Sequence, residues 1–406
     1  TIQTQAFWRF RVEPMEKPLT LDEAAEEVRA LLTRSVGRRL MSDVPLGVFL
    51  SGGIDSSFAT AAMCRFRAAE EVQSFAIGFR EQSFDESGFA REMSQALGTT
   101  HHESILDSDG AKHLIDEVLE RLDEPLGDAS ILPTYFLSHF VRREVTVALS
   151  GDGGDELFAG YDPFAALKLA GIYHALTPGF VHSGMRRLAE VLPKSAANMS
   201  FDFKVRRFLQ GLEYGPELWN PAWMAPLELS DIEDVFNEPV CVEELYEEAL
   251  DLWRESPKKS IVDKSLEYYS NFYLPDDILT KVDRASMLNG LETRSVYLDN
   301  DLVEFVRRLP ASYKLDGKNR KIVLKKAARG FLPSSILNRP KKGFGIPLQA
   351  WLADMALSHG GASKLDMSVR EISKRIRDHQ DGRADHRLFL WNWVVLQKTA
   401  DGLDDR

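Results

Sequence analysis

Two short apolar runs, 44–50 and 145–149, each break off into a glycine-bearing polar loop, and this shared pattern constrains the fold more than any other feature of the chain. Runs of this kind, apolar almost throughout and separated by helical patterns, are strands of a parallel sheet covered on both faces. Helical periodicity predicts helices near 21–40, 58–67, 85–97, 111–122 and 132–143, and further strands at 72–79 and 101–105. The fold class expected is therefore α/β: a parallel sheet with helices on both faces, of the Rossmann-like kind. Ligands in such sheets sit beyond the carboxyl ends of the strands, where both glycine loops fall. After about residue 164 the strand signal fades. Stretches 242–253, 260–273, 299–309, 320–329 and 387–398 read as amphipathic helices. The expected organisation is a linker-like segment 1–20, a nucleotide-binding α/β core 21–163, and a mainly helical portion 164–406 that completes the site.

The first loop is Ser51-Gly52-Gly53-Ile54-Asp55-Ser56-Ser57. Adjacent glycines let backbone amides approach a ligand closely, and the helix that follows offers free N–H groups and the positive end of its dipole. Ser56 and Ser57 add hydroxyl donors. Asp55 beside phosphates is repulsive unless a cation intervenes, and Mg2+ suits because it binds few carboxylates and shares its other ligands with phosphate and water. The bland alternative is a serine-rich turn that caps a helix. The loop lacks the Gly-Lys-Ser/Thr ending of the Walker motif. The second loop, Ser150 to Tyr161, carries Asp152, Asp155 and Glu156 within five residues, a density hard to justify as packing, against the alternative of a solvated acidic loop. A third stretch, 339–347, places Lys341 and Lys342 among a proline and two glycines, which makes it a shaped loop or else a solvated basic patch.

Bulk properties narrow the partners. Fifty Lys and Arg against 62 Asp and Glu give a net charge of −12, which argues against non-specific nucleic-acid binding but not against a local anion pocket. Hydrophobic residues at 44% suffice for a large core, and 406 residues suggest two packed lobes or one domain with an extension. Cys64 and Cys241 stand in no disulfide, zinc or redox spacing. No apolar run of spanning length and no signal peptide is seen, so no membrane association and a cytoplasmic location are expected. The chain begins at Thr1 rather than Met, as a trimmed protein or a piece of a longer one would.

The first loop resembles the Ser-Gly-Gly-x-Asp-Ser loop of the N-type ATP pyrophosphatases. The second, Ser150-Gly151-Asp152-Gly153-Gly154-Asp155-Glu156-Leu157-Phe158-Ala159-Gly160-Tyr161, resembles the asparagine-synthetase family closely, as do 44–57, 84–86, 123–133, 274–304 and 339–347. The resemblance implies a carbon–nitrogen ligase that adenylates a carboxylate (aspartate by default), releases pyrophosphate, and transfers ammonia to give the amide and AMP. It implies ATP and Mg2+ as cofactors, with Asp55 and Asp155 holding the metal. Leu50, Ser51, Gly52, Gly53, Ser56, Ser57, Ile77, Ser150 and Gly151 would contact the nucleotide. Asp152 stands where the family has Asp or Glu facing the acyl-adenylate, and Lys341, with Lys342 as its alternative, would neutralise charge on the phosphates. Asp128, Ser130, Asp283, Arg284, Glu292 and Arg294 stand as substrate-side residues, with a structural ion-pair network as the equal alternative for the last four.

Two departures stand out. No cysteine-led glutaminase occurs in the chain, although Phe7-Trp8 resembles the stretch just after one. Ammonia would thus come from a domain upstream of Thr1, from a separate subunit, or from neither; oligomeric state is open. Ser295-Val296-Tyr297 replaces the usual Val-Pro-Phe, which alters the wall expected near the acceptor. The alternatives kept open are family members that amidate a glycan or other acid, or that cyclise a β-lactam or lasso peptide, and a non-catalytic nucleotide-binding subunit.

Overall fold

A computed structural model describes residues 6–193, 195, 197–256, 259–339 and 345–404. Helix α1 (Leu21–Arg39) opens with a capping box, in which the Thr20 hydroxyl accepts from the Glu23 amide while Glu23 accepts from the Thr20 amide. Such a cap contributes about 1 kcal/mol. The helix buries Val28, Leu31, Leu32 and Val36, each adding roughly 1.5–3 kcal/mol as an upper estimate.

The chain then lays down β1 (Leu46–Phe49), α2 (Ile54–Met63), β2 (Gln73–Phe79), α3 (Ser87–Leu97) and β3 (Thr100–Leu106). It continues through α4 (Ser108–Arg121), α5 (Ile131–Val141), β4 (Val147–Ser150) and the single turn α6 (Gly154–Leu157). A fifth strand, β5 (Glu292–Ser295), joins much later. The five strands form one sheet in the order β3-β2-β1-β4-β5, and every pairing is parallel. The chain leaves β1 toward β2 and β3, then returns to place β4 on β1's other side. The carboxyl ends of β1 and β4 therefore form the topological switch point, and both glycine loops emerge there side by side. Val48, Leu149 and Val147 are buried within a core that continues through Phe58, Phe158 and Tyr297.

Three sequence expectations need correcting. The strand signal fades after about residue 164, yet Glu292–Ser295 form a strand; Glu-Thr-Arg-Ser is polar because β5 is an edge strand and only half-buried. Helix α2 starts at Ile54, not at 58, so Asp55, Ser56 and Ser57 belong to its first turn; it ends at Met63. The stretch 242–253 is two short helices, Val242–Leu245 and Glu247–Arg254. Beyond Ile261–Tyr268 the chain is wound as a π-helix over Tyr269–Leu279, with Pro275 inside it, before Thr280–Met287 resumes α geometry. Wide turns of this kind recur at functional sites. Among the described residues no helix is long and apolar enough to cross a membrane.

Candidate active site at the switch point

The first loop is internally braced. The Ser51 amide donates to Ser56 Oγ at 3.1 Å, the two hydroxyls lie 3.0 Å apart, and the Gly53 amide donates to Ser51 Oγ at 3.3 Å. Gly52 has φ +68°, and a Cβ there would press on the backbone of Phe89, so only glycine fits. Gly53 caps α2 without a side-chain partner, which leaves the helix's first N–H groups directed at the crevice.

The second loop packs directly on the first. A Cβ on Gly151 would lie 3.2 Å from the Ser56 amide nitrogen, and one on Gly154 would lie 2.8 Å from Asp55 Oδ1. The replaced Val-Pro-Phe stretch braces both loops: Ser295 Oγ donates to the Asp152 carbonyl at 2.6 Å, and the buried Tyr297 hydroxyl donates to the Asp55 carbonyl at 3.1 Å. The structure thus gives these residues a supporting task beneath the two glycine loops.

Asp55 and Asp155 converge on one cation. Lys321 Nζ is bonded to Asp55 Oδ2 and lies 2.6 Å from Asp155 Oδ1. Lys321 is only 4% exposed and sits at φ +55°, a strained conformation for a side chain with a Cβ. Burial alone would depress the ammonium, but Asp155 and Asp55 outweigh it and its pKa is raised. The other oxygen of Asp55, Oδ1, is buried with no hydrogen-bond partner among the described residues. Two hard carboxylates meeting at one positive charge, one with an unused oxygen, suit Mg2+. Among the described residues no group of three or more acidic, His or Cys side chains gathers as a metal site, so such an ion would complete its shell from nucleotide and water. Lys321 is a site residue that sequence reading missed.

One side of the crevice is apolar. Leu50, Ser51 and Ile77 line a cleft with Phe49, Phe79 and Gly345. Arg339 crosses its edge: the guanidinium pairs with Glu86, lies 4.0 Å over the Phe89 ring, and donates to the Ser51 carbonyl at 3.4 Å. Ser57 and Ser150 are buried at the same end of the sheet. Lys341 and Lys342 lie outside the described residues.

A half-buried acidic network lies around Asp128. Asp128 accepts from Ser130 Oγ at 2.6 Å and from Lys281 Nζ at 2.7 Å. Burial opposes its ionisation, but Lys281 and Ser130 bring its pKa down to about 2. Asp277, on the π-helix, is pushed the other way to about 7 by burial and by Asp128, so it carries the proton of that pair. Burial also raises Asp152, against the pull of Ser150 and Lys281. Asp277 and Lys281 fall within the resembling stretch 274–304 but were not singled out in it, because the π-turn shifts which residues share a face.

The remaining substrate-side residues take part in ion pairs. Arg284 pairs with Asp123 at 2.8 Å and Glu124 at 3.1 Å, with exposed Asp283 beside it at 3.5 Å. Arg294 pairs with Glu292 at 2.6 Å and donates to the carbonyls of Arg39 and Met41, which ties β5 to the segment before β1.

Glu156 gives a pH prediction. It is 1% exposed and accepts from the Tyr161 hydroxyl, and burial, reinforced by Asp155, lifts its pKa to about 7. A carboxyl raised on folding binds its proton more tightly when folded, so its contribution is present below the ordinary carboxylate range and is lost as pH rises to about 7. At one decade of pH per roughly 1.4 kcal/mol, the loss approaches about 3 kcal/mol. Glu156→Gln is expected to flatten the fall in unfolding free energy between pH 5 and 7.5, measured by urea titration. An unchanged slope would count against it.

The family model described as asparagine synthase matches residues 27–400. The chain is 29% identical over 396 residues to asparagine synthetase [glutamine-hydrolyzing] 1 of Bacillus subtilis, with 92% of this chain and 59% of that protein covered. It is 28% identical to asparagine synthetase [glutamine-hydrolyzing] 3 of the same organism, covering 83% of this chain and 51% of that one. It is 26% identical to amidase chry2 of Gibberella zeae, covering 81% and 53%. The chain therefore spans less than two thirds of the length of these relatives.

Proposed function

We propose that this chain, which belongs to the asparagine synthase family, is an ATP-dependent carbon–nitrogen ligase that activates a carboxylate as its adenylate and passes the acyl group to ammonia. The observation that carries this reading is the convergence of Asp55, Asp155 and Lys321 where the two glycine loops meet.

In the first step a carboxylate oxygen attacks the α-phosphorus, and the bond from that phosphorus to the bridging oxygen breaks to release pyrophosphate. The amides of Gly52 and Gly53, the first turn of α2 and the Ser51 and Ser56 hydroxyls would cradle the leaving pyrophosphate. Asp55 and Asp155 would hold Mg2+, which when bound neutralises charge on the phosphates. Lys321, released from its pair, would supply a second positive charge at the same place. Lys341 is proposed to add a third, a role that rests on the family and on its flanks Arg339 and Gly345 meeting the cleft. In the second step the ammonia nitrogen attacks the acyl carbon, the bond to the phosphate oxygen breaks, and AMP leaves. Asp152, whose pKa is raised by burial, is suited to take the proton that the nitrogen sheds.

Aspartate is the default carboxylate and asparagine the product. The Asp128–Lys281–Asp277 network is proposed to face the acceptor, with Ser130. The likeness to an amidase-named relative supports a second reading in which another acid is amidated by the same steps. The deciding assay incubates the chain with ATP, Mg2+, aspartate and ammonium. Asparagine and pyrophosphate in equal amounts are expected; pyrophosphate with a different acid only would replace aspartate, and none with any acid would overturn the ligase reading.

Gly160→Ala offers a probe away from any phosphate contact. A Cβ there would collide with Asp155 Oδ1 and Lys321 Cε. Displacing such groups by a fraction of an ångström to an ångström costs about 10²-fold in rate. Pyrophosphate release should fall by that order while the melting curve stays cooperative; full activity would show that the Lys321–Asp155 geometry is not needed.

A further inference from the structure

A second cavity lies apart from the nucleotide cleft and shares no lining residue with it. It occupies about 220 Å³ between the helices Phe201–Gly211, Leu229–Phe236 and Val369–Gln380 and the start of Arg387–Asp404. Its wall is unusually charged, and its ion pairs do not balance. Asp385 is committed to Arg387, with contacts of 2.6–3.0 Å. Asp231 is committed to Arg375 Nη2 at 2.6 Å, and Glu228 to Arg186. Arg206 bonds the carbonyls of Ala189 and Leu192 and approaches Asp202 at 3.5 Å. Burial holds His386 down to about 4, so it is neutral at ordinary pH.

Arg207 is left over. Its guanidinium donates only to neutral oxygens, Gln210 Oε1 at 2.8 Å and the Ala225 carbonyl, and among the described residues no carboxylate lies within ion-pair distance. Burial drags its pKa to about 10, and the more distant Asp385 and Glu228 do not make up the deficit. A second donor is also unused: Arg375 is 7% exposed, and its Nε is buried without a hydrogen-bond partner among the described residues. A half-buried guanidinium with no ion-pair partner is costly, and an anion in the cavity reduces that cost.

We propose that this cavity binds the carboxylate of a small organic acid, gripped by Arg207 and Arg375 Nε. Planar carboxylate oxygens match the guanidinium fork, and the single unbalanced charge calls for a monoanion; a dianion would crowd Asp231 and Asp385. The rings of Phe203 and Phe389, which lie 5.6 Å and 5.4 Å from the Arg207 and Arg375 guanidinium carbons, offer the acid's stem an apolar wall.

Titration calorimetry of the full chain with sodium benzoate, at constant ionic strength and with and without saturating ATP and Mg2+, tests this. One saturable site is expected, unaffected by nucleotide and weakened roughly tenfold or more in Arg207→Gln, the loss of one charge-assisted contact. Arg375→Lys, which removes Nε, should also weaken it. Absence of saturable heat, displacement by ATP, or wild-type affinity in both variants would overturn the proposal, and sulfate binding as tightly as benzoate would overturn the carboxylate assignment. If Arg207→Gln does not fold, the wild-type titration and Arg375→Lys decide.

Discussion

Asp55→Asn and Asp155→Asn are each expected to slow pyrophosphate release by about 10²–10³-fold, the order found when one preorganised electrostatic group is removed from an active site. Asparagine keeps the shape and loses the charge. The Asp55 backbone would still accept from Tyr297, and Gly154 would still pack against the side chain, so the loop geometry should persist. Lys321 would retain one carboxylate in each variant. The check is a coupled pyrophosphate assay beside a melting curve. Retained turnover in either variant would remove that carboxylate from the phosphate site, whereas lost turnover with a collapsed melt would show a structural effect only.

Lys321→Met should have the other large effect, and on two observables at once. Lys321 is buried between two carboxylates, and removing one member of such a group costs about 3–5 kcal/mol, because the remaining charges stay enclosed and unpaired. Methionine keeps much of the stem, and its backbone strain at φ +55° matches that of lysine. Without nucleotide, the variant should melt well below wild type. Millimolar Mg2+ should recover much of that loss in the variant but shift wild type little, since an ion that binds only the folded state stabilises it by mass action. Pyrophosphate release should fall by about 10²-fold or more even with Mg2+ present. A variant that melts like wild type, or one that Mg2+ does not rescue, would refute the shared cation site.

The central sheet was readable because each central strand carries its own signal. Val48, Val147 and Leu149 sit in apolar runs that only double burial explains, and glycine ends those runs where the chain must turn past a ligand. Their adjacency at the switch point follows from the strand order. What could not be read depends on pairings across long separations. Glu292–Ser295 is too short and polar to register as a strand, because an edge position asks for little burial. Lys321 lies 266 residues from Asp55, in a run with several other basic residues, and only the fold selects it. Asp277 and Lys281 meet Asp128 through a π-helix whose turn does not follow the 3.6-residue period used to assign faces. The charges at 283–294 were left between substrate contact and ion pairing, since both ask for the same residue types; Arg284 and Arg294 are occupied by nearby acids and carbonyls.

Oxygen transfer reports attack at the α-phosphorus directly. With a carboxylate that supports turnover supplied as its 18O-labelled form, together with ATP, Mg2+ and ammonium, one labelled oxygen should appear in the phosphate of AMP for each amide formed. Unlabelled AMP, or label in orthophosphate alongside ADP, would contradict it.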